Sequence, residues 1–182
     1  KIINDNFNDL SSFQQVKNLD SIDELKDFEH NSIILINGIF QSSNFNFENQ
    51  KKIEIKKYTH RLIKKATTSN SLINLNDALF EGGFILEILN NYKFNKPVII
   101  YNYFNDSCKN QIINNRNLII LNNNCNLELV ELNSDVSKNN FIQNNYTSIE
   151  VGENSTLKNH TVQGSTSNGF FYKFVKACLK KD

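Results

Sequence analysis

Four apolar positions recur along the second half of this chain at a near-constant spacing, and that spacing limits what the chain can fold into. In "NLIILNNNCNLELVEL" (117–132) they are Ile119, Leu121, Leu127 and Leu132. In "TSIEVGENSTLKNHTV" (147–162), shifted by 30, they are Ile149, Val151, Leu157 and Val162. Shifted back by 33 from the first stretch, they are Leu86, Ile88, Phe94 and Ile99. From Phe84 onward short β-type runs alternate with Asn, Gly and Ser corners, and no segment reads as a crossover helix. Stacked repeats place equivalent slots about 4.8 Å apart, so aligned apolar slots become inward-facing ladders. Asn suits the corners because it tolerates the left-handed backbone that bends require. Parallel strands are therefore expected from about Phe84 to Asp182, with Ile119/Ile149 and Leu121/Val151 inside. The competing reading is an antiparallel sandwich, in which 117–132 would fold as a hairpin.

The first 83 residues read as a small mixed α/β region. "SIDELKDF" (21–28) is helix-like, and Ser21 with Glu24 fits a capping box. "NSIILINGIF" (31–40) is a β-type run whose Asn37-Gly38 step favours a tight hairpin turn. "KKIEIKKY" (51–58) alternates like an exposed strand. "SNSLINLNDALFEGG" (69–83) predicts a short helix with Leu72, Leu75 and Leu79 on one face, ended by Gly82-Gly83. The domain division expected is thus 1–83 and 84–182.

Net charge is +1 with scattered basic residues, so no footprint for nucleic acid or an anionic membrane surface stands out. No apolar run reaches the roughly 20 residues of a membrane helix. "KIINDNFNDL" does not read as a signal peptide. The three cysteines are widely spaced with no C-x-x-C pair, which argues for reduced thiols. The 33 Asn and 21 Ile against 3 Ala point to the amino-acid usage of an AT-rich genome. There is no Met, so the chain is expected to be trimmed or partial, or to have lost modified methionines from its letters.

"LNDALFEGGFILEI" (75–88), "NNRNLIIL" (114–121) followed by "LELVEL", and "IEVGENSTLKNHTVQ" (149–163) resemble the SufB/SufD family of iron–sulfur cluster assembly proteins. "SIILINGIF" (32–40) resembles the strand and turn that precede the β-helix in SufD members. The chain is more similar to SufD than to SufB, because Glu131 is followed by "LNSDVSKNN" and not by a Cys-Thr-Ala-Pro segment. Asn115 before Arg116, and Thr161 after His160, depart from the usual SufD pattern. The resemblance implies a mainly β fold, a right-handed parallel β-helix (solenoid) behind the small N-terminal region. It implies the N-terminal portion of a non-catalytic scaffold subunit, expected to stop partway through its repeats, whose full-length form works with a SufB-like subunit and a SufC-like ATPase. The cluster would be assembled by the full complex, with no cofactor bound by this portion alone. Bacterial cytoplasm is the compartment implied, with the plastid stroma as the alternative. The other classes of reading are a β-solenoid enzyme acting on carbohydrate and a purely structural interaction module. The chain has no G-x-x-x-x-G-K-[ST] phosphate loop.

No residue is assigned a catalytic, cofactor-binding or metal-binding role. Cys178 reads first as a small buried apolar residue and second as an iron or sulfur ligand. Cys125 reads as a tolerated turn residue equivalent to Ser155, and Cys108 as an exposed loop thiol with no activating base. His160 aligns with Val130, beside Glu131, which raises an acid–base pair as the alternative to a structural role. His30 and His60 share no metal-ligand spacing. Arg116 is expected to bond corner carbonyls or a carboxylate on a neighbouring repeat. The lysines of 51–57 and 173–181 read as solvated outer faces.

A last strand with nothing paired beyond it is a template for another chain. Residues 1–182 alone are expected to self-associate through Phe170–Leu179, or to leave it frayed. The stretch "GFFYKF" favours burial at about 25 cal/mol per Å² of apolar surface. Light scattering with amide hydrogen exchange checks this; a strict monomer with strongly protected amides over 170–179 contradicts it.

Overall fold

The computed structural model describes residues 25, 28–59, 69–135, 140–163 and 170–180. The capping box at Ser21 and Glu24, and His60, lie outside the described residues. The described chain is mainly β. Its strands are β1 (Asn31–Ile36), β2 (Ile39–Asn44), β3 (Ile53–Lys57), β4 (Phe84–Ile88) and β5 (Val98–Phe104). They continue as β6 (Ile112–Leu121), β7 (Asn126–Asp135), β8 (Ile142–Val151), β9 (Thr156–Gln163) and β10 (Phe170–Leu179). One helix, α1 (Ser71–Leu79), lies between β3 and β4. The strands form two mixed sheets of five, in the orders β2-β1-β5-β7-β9 and β10-β8-β6-β4-β3.

From β4 onward successive strands alternate between the two sheets, and every pairing among them is parallel. Residues 117–132 are therefore no hairpin: β6 pairs with β4 and β8, while β7 pairs with β5 and β9. Leu86 stands beside Ile119 and Ile119 beside Ile149; Ile88, Leu121 and Val151 form the next row. Leu127 opposes Leu157 in the other sheet. These side chains meet Ile33, Leu35, Val98, Ile100 and Leu129 in one core shared by both sheets.

The fourth slot of the repeat departs from expectation twice. Leu132 and Val162 do pair, but Val162 is exposed and Leu132 only half-buried. Side chains alternate along a strand, so the inward positions of β7 are Leu127, Leu129, Glu131 and Asn133. Ile99 opposes Val130 rather than Leu132. The offset changes because Lys93 bridges to Asn126 while Val98 already opposes Leu129. Two extra residues are absorbed in the segment ending at Pro97, which lacks the N–H a central strand would use.

The corners explain the asparagine. Asn91, Asn124 and Asn154 hold equivalent corner positions with φ of 61°, 58° and 56°. Their neighbours bond from repeat to repeat. Asn124 Nδ2 donates to Asn91 Oδ1 at 2.9 Å, the Asn123 amide to Asn90 Oδ1 at 2.9 Å, and the Glu153 amide to Asn123 Oδ1 at 3.0 Å. Asn thus accepts the left-handed backbone and also satisfies polar groups one repeat away.

The N-terminal strands join both sheets. β1 runs parallel to β5, and β3 lies antiparallel to β4 as an edge strand with exposed Glu54, Lys56 and Lys57. Asn37 and Gly38 both have positive φ, 51° and 76°, the type I′ arrangement that closes the β1–β2 hairpin. Helix α1 is capped by the Asn70 side chain and buries Ile73 and Asn76, while Leu79 is exposed. The leucine face is thus not the packed one, because Asn76 Nδ2 donates to the Asn115 and Asn144 carbonyls of β6 and β8. The helix ends at Phe80, before the glycines. Gly83, with φ of 123°, is needed because a Cβ there would run into the Arg116 carbonyl of β6.

The extra residues before β5 leave backbone amides without a sheet partner, and Glu48 takes them. Its carboxylate accepts from the Asn95 and Lys96 amides at 3.0 Å, from Asn31 Nδ2 at 2.9 Å and from Tyr92 Oη at 2.7 Å. Burial alone raises the Glu48 pKa, but the bonds from Tyr92, Asn31, Asn95 and Lys96 outweigh it and hold the carboxyl below its ordinary value. A depressed carboxylate contributes stability above the unfolded pKa of about 4.3, lost as the pH falls through the lower folded value. Glu48→Gln is expected to flatten the stability–pH profile in that acid window, measured by urea unfolding; an unchanged slope contradicts the role.

Candidate functional site

Along each central strand the inward positions change from apolar to polar. In β5, Val98 and Ile100 give way to Asn102; in β7, Leu127 and Leu129 give way to Glu131 and Asn133. The facing sheet does the same in reverse chain order: Leu121 and Ile119 lead back to Asn117 and Asn115 in β6, and Val151 and Ile149 to Thr147, Asn145 and Gln143 in β8. All of these polar residues are buried. Past them the interior is apolar again, in the small cluster of Phe104, Cys108, Ile113 and Phe141. A polar layer is thus enclosed between two apolar ones.

Parallel register brings like beside like within this layer. Asn102 Nδ2 donates to Asn133 Oδ1 at 3.0 Å, one repeat on. The centre of the layer is Glu131, whose side chain is only 4% exposed. Its Oε1 accepts from Asn102 Nδ2 at 3.2 Å in its own sheet and from Asn145 Nδ2 at 3.3 Å across the gap. Its Oε2 accepts from Lys173 Nζ of β10 at 2.6 Å, and that ammonium also donates to Thr161 Oγ1 of β9 at 2.7 Å. One ion pair therefore ties three strands of the two sheets together. Lys173 occupies the inward position opposite Asn145, so it is not part of a solvated outer face.

The candidates singled out in the sequence do not converge here. Cys178 is exposed on β10 rather than buried, as is Leu179 beside the buried Val151, because β10 is the outermost described strand of its sheet. Cys108 is buried, not exposed, and its thiol donates to Asn37 Oδ1 at 2.8 Å. Cys125 sits at the corner as expected, buried, with its amide donating to Ser155 Oγ at 2.8 Å. His160 does oppose Val130, but both face away from Glu131; its nearest carboxylate is Glu128, at 3.9 Å and well exposed. His30 meets the Tyr101 hydroxyl at 2.8 Å on the other side of the first sheet.

Arg116 is buried on the outer face of β6. It pairs with Asp77 of helix α1, and its guanidinium lies 4.3 Å over the ring of Tyr146 on the neighbouring repeat. That assembly clamps the helix to the sheet. Among the described residues no group of three or more His, Cys, Asp or Glu side chains comes together to hold a metal ion. No helix among them is long and apolar enough to cross a membrane, which says nothing of strands.

Sequence reasoning missed Asn102, Asn133, Asn145 and Lys173. The available signal was polar residues repeating in phase with the apolar slots, at inward parity. No protein-family model matches the chain, and no curated protein matches it.

Removing one member of a buried ion pair leaves the other uncompensated, typically at a cost of about 3–5 kcal/mol. Lys173→Met is expected to destabilise on that scale at neutral pH. Adding Glu131→Gln should restore most of the stability at neutral pH. Urea unfolding of the single and double variants measures both effects; a loss as large in the double variant as in the single contradicts the pairing.

Proposed function

We propose that this chain is a SufD-like, non-catalytic scaffold subunit of an iron–sulfur cluster assembly machine, built on a right-handed parallel β-helix. The observation that carries the reading is register. The segments resembling the SufB/SufD family lie on adjacent rungs: Leu86–Ile88 beside Ile119–Leu121, and these beside Ile149–Val151. Each pass of the chain supplies one strand to each sheet, as a β-helix requires. Connections between neighbouring parallel strands of one sheet are right-handed in about 98% of cases, which supports the hand.

The way the polar residues are used supports the scaffold reading. Glu131, Lys173, Arg116 and Asp77 hold strands and helix in place, and their charges are spent on one another. What such a stack presents to partners is its edges. Among the described residues β9 and β10 are the outermost strands at one end of the two sheets, and Val162, Phe170, Val175 and Leu179 are exposed there. We assign that edge to pairing with further repeats of a longer subunit or with a SufB-like subunit, and, in residues 1–182 alone, to self-association, with cluster assembly belonging to the complex.

Co-expression with SufB-like and SufC-like subunits tests the assignment. The expected outcome is co-elution as one complex in size-exclusion chromatography, weakened at least tenfold in affinity by a charge at the exposed edge such as Val175→Glu. Separate elution of the wild-type chain contradicts the reading.

A further inference from the structure

The enclosed polar layer contains more hydrogen-bonding atoms than it pairs. Asn102 Oδ1, Asn133 Nδ2, Gln143 Nε2 and both amide atoms of Asn115 are buried without a protein partner. Asn102 and Asn133 belong to one sheet, Asn115 and Gln143 to the other. Their residues are at most 4% exposed. Leaving such groups dry forfeits their full hydration, so native proteins meet them with protein groups or internal water.

We infer that this layer is an internal water-binding site, in which ordered waters bridge the Asn102 and Asn133 amides to Asn115 and Gln143 across the gap between the sheets. The unpaired set mixes acceptors (Asn102 Oδ1, Asn115 Oδ1) with donors (Asn115 Nδ2, Asn133 Nδ2, Gln143 Nε2). An anion would leave the acceptors unmet, and a cation would leave the donors unmet. Water serves both. The charges nearby already cancel, since Glu131 is paired with Lys173 at 2.6 Å. Position argues the same way. The layer lies between the main core, at Leu129, Ile119 and Ile149, and the cluster of Phe104, Cys108, Ile113 and Phe141. Waters held there exchange slowly with bulk, because leaving requires strands or apolar side chains to part.

The inference stands independently of the scaffold reading and concerns only what fills the interior. Oxygen-17 magnetic relaxation dispersion on the intact chain is the test in solution. A dispersion from at least one long-lived internal water is expected, falling clearly in Asn115→Leu, which removes two of the unpaired atoms while keeping similar volume. No dispersion in the wild type, or one of equal amplitude in the variant, overturns the proposal. A high-resolution crystal structure of the wild-type chain decides the matter even if the variant fails to fold. Water within hydrogen-bonding distance of two or more of these atoms is the expected result. Amides re-paired with one another, or density for a larger molecule in the layer, overturns it.

Discussion

The parallel hydrogen bond between strands a full repeat apart is the interaction on which everything else here rests. A strand such as β6 cannot satisfy its N–H and C=O groups locally, because the next strand, β7, belongs to the other sheet. Its partners are β4 and β8, the latter displaced by 30 residues, and the ladder continues to the corner, where the Gly152 amide donates to the Leu121 carbonyl at 2.7 Å. That non-local pairing must be won against loop-closure entropy, so it demands side chains that reward one register and penalise the rest. Slipping by one residue would turn Ile119 and Leu121 outward and bring Ile120 and Leu118 in. Slipping by two would set Ile119 against Thr147 and bring the apolar and polar layers into contact.

The layering gives the register a second determinant. Apolar rows alone would tolerate a two-residue slip with modest loss, since one Ile, Leu or Val replaces another. The asparagine rows do not. Asn102 reaches Asn133, and Glu131 reaches Asn145 and Lys173, only when the strands stand as they do. A buried ion pair between the sheets is weak evidence for stability by itself, because the cost of desolvation offsets its attraction. Its value is geometric: it penalises mispaired arrangements that would leave either charge alone. The same division of labour holds outside the sheets. Arg116 and Asp77 fix helix α1 over β6 and β8, and Glu48 fixes the irregular segment before β5.

The apolar slots, the hairpin at Asn37-Gly38 and the corner asparagines were legible in the sequence because each follows from a local rule. Side-chain size and backbone freedom decide them. The parts that escaped depend on what lies one repeat away. The fourth slot was misread because Leu132 and Val162 fall an odd number of residues after Leu127 and Leu157, at outward parity, and because two extra residues before Pro97 shift the register at Ile99. The packed face of α1 was misread because Asn76 has an unusual use, donating to two strand carbonyls. Cys108 was misread because packing at its corner buries it, and Cys178 because it stands on the outermost described strand of its sheet. The polar layer was the largest omission. Asn is so abundant in this chain that its inward-phased copies were indistinguishable from the rest.

The central claim is the register of the parallel stack, and the chain carries its own probe for it. Cys178 is exposed and stands beside Glu150 on the neighbouring strand, while Cys108 and Cys125 are buried. Neighbouring strands about 4.8 Å apart fall within the Cα separations a disulfide accepts, whereas a partner displaced by two residues lies beyond about 7 Å. Mild oxidation of Glu150→Cys, read by peptide mass mapping, is the direct measurement. The account predicts an intramolecular disulfide to Cys178 in that variant and none in Ser148→Cys, whose register partner is Lys176. A disulfide in Ser148→Cys and not in Glu150→Cys would contradict it.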